Sequence, residues 1–243
     1  MVGILGCSIS SVRNGQFGNL VSVMLVAMAA ARVPSVRPSN VREFPRDRVT
    51  DASRDADLVS RVAAGDGQAL NVVWCRYASA VRAALFACLG PDHAIDDLTQ
   101  DVFLGFYRRA GHIQNPSALR SYLLGAAVRS ATFERRTRAR RSRWLGLFAT
   151  QGQKHSVQAP EVEANDVVRT LVRVLGAIPE RAREAFVLRY VDDLSPAEVA
   201  VALGVSESTA KRAIAKGRER VLFHAGQDAV LHAYLVANIG GRA

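Results

Sequence analysis

Between residues 206 and 216 the sequence sets Ser206, Glu207, Ser208, Thr209, Lys211, Arg212 and Lys216 along one short stretch. Hydroxyl and guanidinium groups can hydrogen-bond base edges, and ammonium groups neutralise phosphate, so the chemistry on offer is recognition of a duplex. The preceding residues are built to position them. Ser195 can cap a helix, Pro196 suits its first position, and Glu198 completes an S-x-x-E capping box. Val199, Ala200, Leu203 and Val205 then face inward, Gly204 makes a tight turn, and Ser206 caps a second helix with Ala210, Ile214 and Gly217 on its inner side. Two short helices about a glycine turn form a helix-turn-helix, whose second helix enters the major groove by its N-terminal residues. The competing reading is a solvated basic helix with no ligand.

A second basic element lies upstream. Residues 129–143 hold seven Arg against one Glu, most of them in the run Arg135, Arg136, Arg138, Arg140, Arg141 and Arg143. Such a run can be a solvated helix end, but it follows a segment with Arg120, Tyr122 and Arg129. Arginine with aromatics is the composition that grips backbone and stacks unpaired bases. Further upstream, Ile95, Leu98, Val102 and Phe106 recur at helical spacing as an apolar stripe, and Asp96, Gln100, Phe103 and Tyr107 form a polar-aromatic face on the same helix.

The whole chain has 243 residues, 49% of them hydrophobic, with net charge +10. That is ample for one large domain or two small ones, and the excess of positive charge favours a polyanionic partner. Enzymatic chemistry has no support. The three cysteines and five histidines lie far apart without metal-ligand spacing, so no metal or other cofactor is expected. Phosphate-cradling glycine loops and nucleophile elbows are missing too, which argues against a small-molecule substrate. Cys75 and Cys88 read as small core residues in a reducing compartment.

Turn signals and periodicity divide the chain. Residues 1–50 read as an extension without a stable fold: the apolar run from Val23 to Ala31 is too short to span a bilayer, so membrane insertion is not expected. Residues 51–143 are helical throughout, 144–164 lose periodicity and read as a linker, 165–223 are helical again, and 224–243 hold a helix-like extension. No strand alternation of useful length appears, so the fold class is all-α: two small helical domains joined by a flexible linker.

Three stretches resemble the bacterial extracytoplasmic-function sigma factors. They are A-G-D-G-Q-A-L-N-V-V-W-C-R-Y (residues 64–77), D-D-L-T-Q-D-V-F-L-G-F-Y (96–107), and the segment from Ile178 to Lys211 that contains the helix-turn-helix. The resemblance spans about residues 55–222 in the family's order and spacing. It implies a cytoplasmic, non-catalytic initiation subunit with a region 2-like bundle and a region 4-like helix-turn-helix domain. The partners it implies are core RNA polymerase, promoter DNA and possible control by an anti-sigma factor. By the same likeness, Asp97, Gln100, Asp101 and Phe103 would contact polymerase. The loop and helix from His112 to Arg129, which carries Arg120, Tyr122 and Arg129, would capture the melted minus-ten strand, and the helix-turn-helix would read the minus-thirty-five duplex; Arg135 and Arg136 join the strand and backbone contacts by the composition of the arginine run. Tyr122 stands where the family usually has Trp, and Arg212-Ala213 where it usually has Ser-Arg. The alternative is a helix-turn-helix regulator that binds duplex without serving polymerase.

Overall fold

The computed structural model describes residues 48–148 and 166–239. The extension before Arg48, the linker from residue 149 and the last four residues lie outside them. All regular structure among the described residues is helical.

The first half contains α1 (Arg48–Ala63), α2 (Gly67–Leu89), α3 (Ala94–Arg109) and α4 (Leu119–Phe148), with two 3₁₀ turns between α3 and α4. Asp66 starts α2 by accepting the backbone N–H groups of Gln68 and Ala69 at 2.8 and 3.1 Å, and Gly90 ends it at φ 82°, a conformation that favours glycine. α2 is long and apolar enough to cross a membrane, yet its Ala69, Val73, Val81, Leu85 and Phe86 are buried against its neighbours. The Arg76-Tyr77 pair fixes α1 to α2. The Tyr77 hydroxyl donates to the buried Asp55 carboxylate at 2.7 Å, and Arg76 reaches the same group at 3.0 Å. Burying that carboxylate is tolerable because hydrogen bonds and a guanidinium compensate it. Cys88 is buried, and burial pushes its thiol up to about 12. Cys75 is exposed, contrary to the expectation that both are core, because it falls on the outer side of the same helix.

The second half contains α5 (Asp166–Ala177), α6 (Glu180–Phe186), α7 (Pro196–Leu203), α8 (Glu207–Ala225) and α9 (Ala229–Ile239). Beyond Phe186 the helix that follows Pro179 widens into a π turn over Val187–Val191. α9 packs through Leu231, Leu235 and Ile239, spaced by four, so this stretch of the C-terminal extension belongs to the core.

The chain is all-α with two helical halves, as expected, and two features refine how they join. α4 runs unbroken through the arginine run to Phe148, so residues 144–148 are helical where a linker was expected. The two halves also share one continuous apolar core, with α4 seated against α7 and the end of α2 against α5.

Candidate nucleic-acid and polymerase interfaces

The helix-turn-helix forms as its residues dictate. Ser195 accepts from the Glu198 N–H at 3.3 Å while the Glu198 carboxylate accepts from the Ser195 N–H at 2.7 Å, closing the capping box. Gly204 ends α7 in the left-handed region at φ 64°. Ser206 then caps α8, with its hydroxyl accepting from the Thr209 N–H at 3.4 Å. Ala210, Ile214 and Gly217 are buried, as the pattern demands. Consequently Ser206, Glu207, Ser208, Lys211, Arg212 and Lys216 are exposed along the outer side of α8, with Thr209 half-buried among them. Lys211 pairs with Glu207 at 2.7 Å across one turn, a solvent-facing bridge that a phosphate can displace at small cost.

On α3, Asp97, Gln100 and Asp101 are exposed, and Leu104 and Tyr107 beside them leave nearly half their surface open. Phe103 does not join them. It is 4% exposed and its ring lies 4.6 Å from that of Trp74, so it is a core residue that holds α3 on α2. Asp96 is also spent internally, on Arg82 of α2. The polar-aromatic face thus narrows to an acidic surface with an apolar margin.

The expected strand-binding residues are gathered on α4, but most of them meet the second half of the chain. Arg120 donates to the backbone carbonyl of Asp192, and Arg129 to that of Ala202 in the last turn of α7. Arg135 bridges the carbonyls of Cys88 and Gly176, at 3.2 and 3.1 Å, in the last turns of α2 and α5. Arg136 pairs with Glu180 at 2.8 Å. The last carbonyls of a helix lack intrahelical donors and carry the negative end of its dipole, so guanidinium groups are natural partners for them. Tyr122 is half-buried, edge-on to Phe106 at 6.3 Å. Farther along, Arg138 is committed to Asp92 and Glu134, whereas Arg140, Arg141 and Arg143 are exposed and have no acidic partner among the described residues. These long-range engagements carried no local signal in the sequence.

The model of sigma-70 region 2 matches residues 74–141, the part of the chain that presents the acidic and arginine surfaces. That of sigma-70 region 4 matches residues 169–221 and takes in α7, the turn and most of α8. The ECF RNA polymerase sigma-E factor of Escherichia coli (strain K12) is 28% identical over 176 residues, covering 69% of this chain and 92% of the relative. The chain belongs to the extracytoplasmic-function sigma factors. The sigma factor NccH of Alcaligenes xylosoxydans xylosoxydans is 25% identical over 177 residues, covering 71% of this chain and 95% of that one. Among solved structures, CnrH in complex with the cytosolic domain of CnrY matches with a TM-score of 0.56 at 20% identity, covering 74% of this sigma factor and all of CnrH. RpoE in complex with the anti-sigma factor NepR from Bartonella quintana matches at 0.50 and 19%, covering 65% and 97%. These two likenesses speak for the fold. As a member of this family the chain directs transcription initiation.

Proposed function

We propose that this sigma factor binds core RNA polymerase through Asp97, Gln100 and Asp101 on α3 and holds melted promoter DNA on the arginine face of α4. The exposed turn of α8 reads upstream duplex. One observation carries the division of labour: the chain presents an exposed acidic surface in its first half and a capped, exposed basic recognition helix in its second. An acidic surface with an apolar margin suits a basic patch on a protein partner, while a basic helix suits the phosphate-lined groove. A melted strand asks for something else, which Tyr122 and the guanidinium groups of α4 supply. Such a subunit acts in the cytoplasm, where the polymerase is, and does no bond-making itself.

One of the matched structures is a sigma factor in complex with an anti-sigma factor, so control by a protein of that kind is part of the proposal. The test is to mix the full chain with bacterial core polymerase and measure both association and specific transcript from a promoter fragment. Association with transcript supports the reading. Duplex binding without association to core would replace it with a helix-turn-helix regulator.

A further inference from the structure

Phe133, on α4, is 65% exposed, and neither the core nor the recognition helix accounts for it. It lines a cavity of about 630 Å³ between α4 and the turn that joins α5 to α6, a size within the roughly 300–1,000 Å³ of small-molecule sites. On the α4 side the lining follows one stripe of the helix: Phe133, Arg136, Arg140 and Arg143 are spaced by three, four and three. From Phe133 to Arg140 that helix rises about 10 Å. Ile178, Pro179 and Glu180 face the stripe, and Arg135 and Arg183 complete the lining, so five guanidinium groups meet one carboxylate around a single cavity.

Little of that charge is spent. Glu180 offsets only Arg136, in an exposed bridge that a phosphate can displace at small cost. Arg140 and Arg143 are exposed without an acidic partner among the described residues. Arg183 is 1% exposed and donates through Nη1 to the Leu175 carbonyl at 3.2 Å, while its Nε and Nη2 have no hydrogen-bond partner among the described residues. A buried guanidinium left with unpaired donors is costly unless an anion answers it. Burial, and then the neighbouring Arg135, push its pKa below the usual arginine value, so like charges crowd this wall.

We propose that the cavity binds a nucleoside polyphosphate, with the base on the Phe133 ring and the phosphates among Arg136, Arg140 and Arg143. An exposed aromatic ring is a stacking platform for a base, and guanidinium groups pair phosphate oxygens bidentately. The rise from the ring to Arg140 separates the two chemistries, as a nucleotide separates its base from its outer phosphates. A DNA strand fits less well, because it carries one phosphate per nucleotide whereas five guanidinium groups converge here. The proposal does not rest on the initiation role.

The experiment titrates the full chain calorimetrically, in magnesium-free buffer, with adenosine triphosphate and with inorganic tripolyphosphate. Adenosine triphosphate is expected to bind and to raise the unfolding midpoint, because a ligand held between both walls stabilises the folded chain. Phe133→Leu keeps an apolar side chain at an exposed position and removes the ring. It should weaken adenosine triphosphate by on the order of tenfold and leave tripolyphosphate unchanged. Arg140→Ala with Arg143→Ala should weaken both probes by on the order of tenfold or more. Arg54→Ala with Arg108→Ala removes the same charge from exposed positions on α1 and α3, and at about 0.15 M salt, where distant charges are screened, both affinities should be kept. Circular dichroism checks that each variant keeps its helix content.

Failure of adenosine triphosphate to bind overturns the proposal, and so does binding that neither Phe133→Leu nor the Arg140 and Arg143 variant weakens. Fluorescence anisotropy with a labelled single-stranded oligodeoxynucleotide supplies the remaining arm. If Phe133→Leu weakens the strand and spares adenosine triphosphate, the ring serves melted DNA and the nucleotide site falls. Association with core polymerase is measured separately, so the initiation reading stands or falls on its own test.

Discussion

Gly217, in the middle of α8, lies so close to Ala182 of α6 that a Cβ there would stand 2.5 Å from the Ala182 carbonyl oxygen and 3.1 Å from the Phe186 Cβ. The recognition helix is therefore seated on α6 by backbone contact, and the obstacle is main chain that cannot swing aside. On an exposed helix, glycine to alanine gains about 1 kcal/mol. Here overpacking outweighs that gain, and Gly217→Ala is expected to lower stability by about 1–2 kcal/mol. Urea unfolding followed by circular dichroism checks the sign; a stabilised variant would show that α6 and α8 can separate freely.

How much of this was legible in advance follows from the range of each interaction. Capping residues, breakers and periodicity act within a turn or two. Ser195 and Gly204 therefore announced where α7 begins and ends, and Ser206 where α8 begins. Gly217 was readable as an inner position because Ala210 and Ile214 set the period. Phe103 was not readable, since its place on α3 is next to both the polar face and the apolar stripe, and only Trp74 on another helix draws it inward. The fates of Arg120, Arg129 and Arg135 depend on carbonyls 41 to 73 residues away along the chain, which no local pattern encodes. Composition shows that guanidinium groups are abundant; topology decides which of them are left for DNA.

Asp192 makes a prediction about pH. Burial pushes its carboxyl up to about 7 despite the nearby Arg120 guanidinium, and one of its oxygens has no hydrogen-bond partner among the described residues. In the unfolded chain the same group ionises near the ordinary aspartate value of about 3.9. A raised pKa in the folded state means stability that is full at low pH and is lost as pH rises toward 7, after which the loss is constant. Asp192→Asn removes this dependence. Its stability relative to wild type should rise by on the order of 1–2 kcal/mol between pH 5 and pH 7 and then level off to pH 8. Urea titrations at these pH values decide it, and parallel curves for the two proteins would rule out an ionising Asp192.

The α3 surface separates contact from support. Asp97, Gln100 and Asp101 are exposed, so the triple alanine variant should unfold within about 0.5 kcal/mol of wild type while losing association with core polymerase. Phe103→Ala should also lose association, but with destabilisation of about 3–5 kcal/mol because its ring fills the space against Trp74. Thermal unfolding run beside a polymerase pull-down distinguishes the two. If Phe103→Ala folds normally and alone loses core binding, the ring is a contact residue after all and the burial seen here must open.

The arginine run should divide by salt dependence rather than by count. Arg138 is already neutralised: its hydrogen bond with Asp92, aided by Glu134, holds its pKa well above the usual arginine value. Arg140, Arg141 and Arg143 have no acidic partner among the described residues, so a phosphate that meets them displaces only water and counterions. Each phosphate neutralised on duplex DNA contributes about 0.9 to the slope of log K against log salt. Alanine at Arg140, Arg141 or Arg143 should therefore flatten that slope by up to about one unit each in titrations of the full chain with a non-specific duplex. Arg138→Ala should leave the slope unchanged and instead lower the unfolding midpoint, because Asp92 at the start of α3 then loses its cation. The opposite pattern, a flattened slope for Arg138→Ala and none for the other three, would mean that the ion pair with Asp92 opens for DNA and that the end of α4 points away from it.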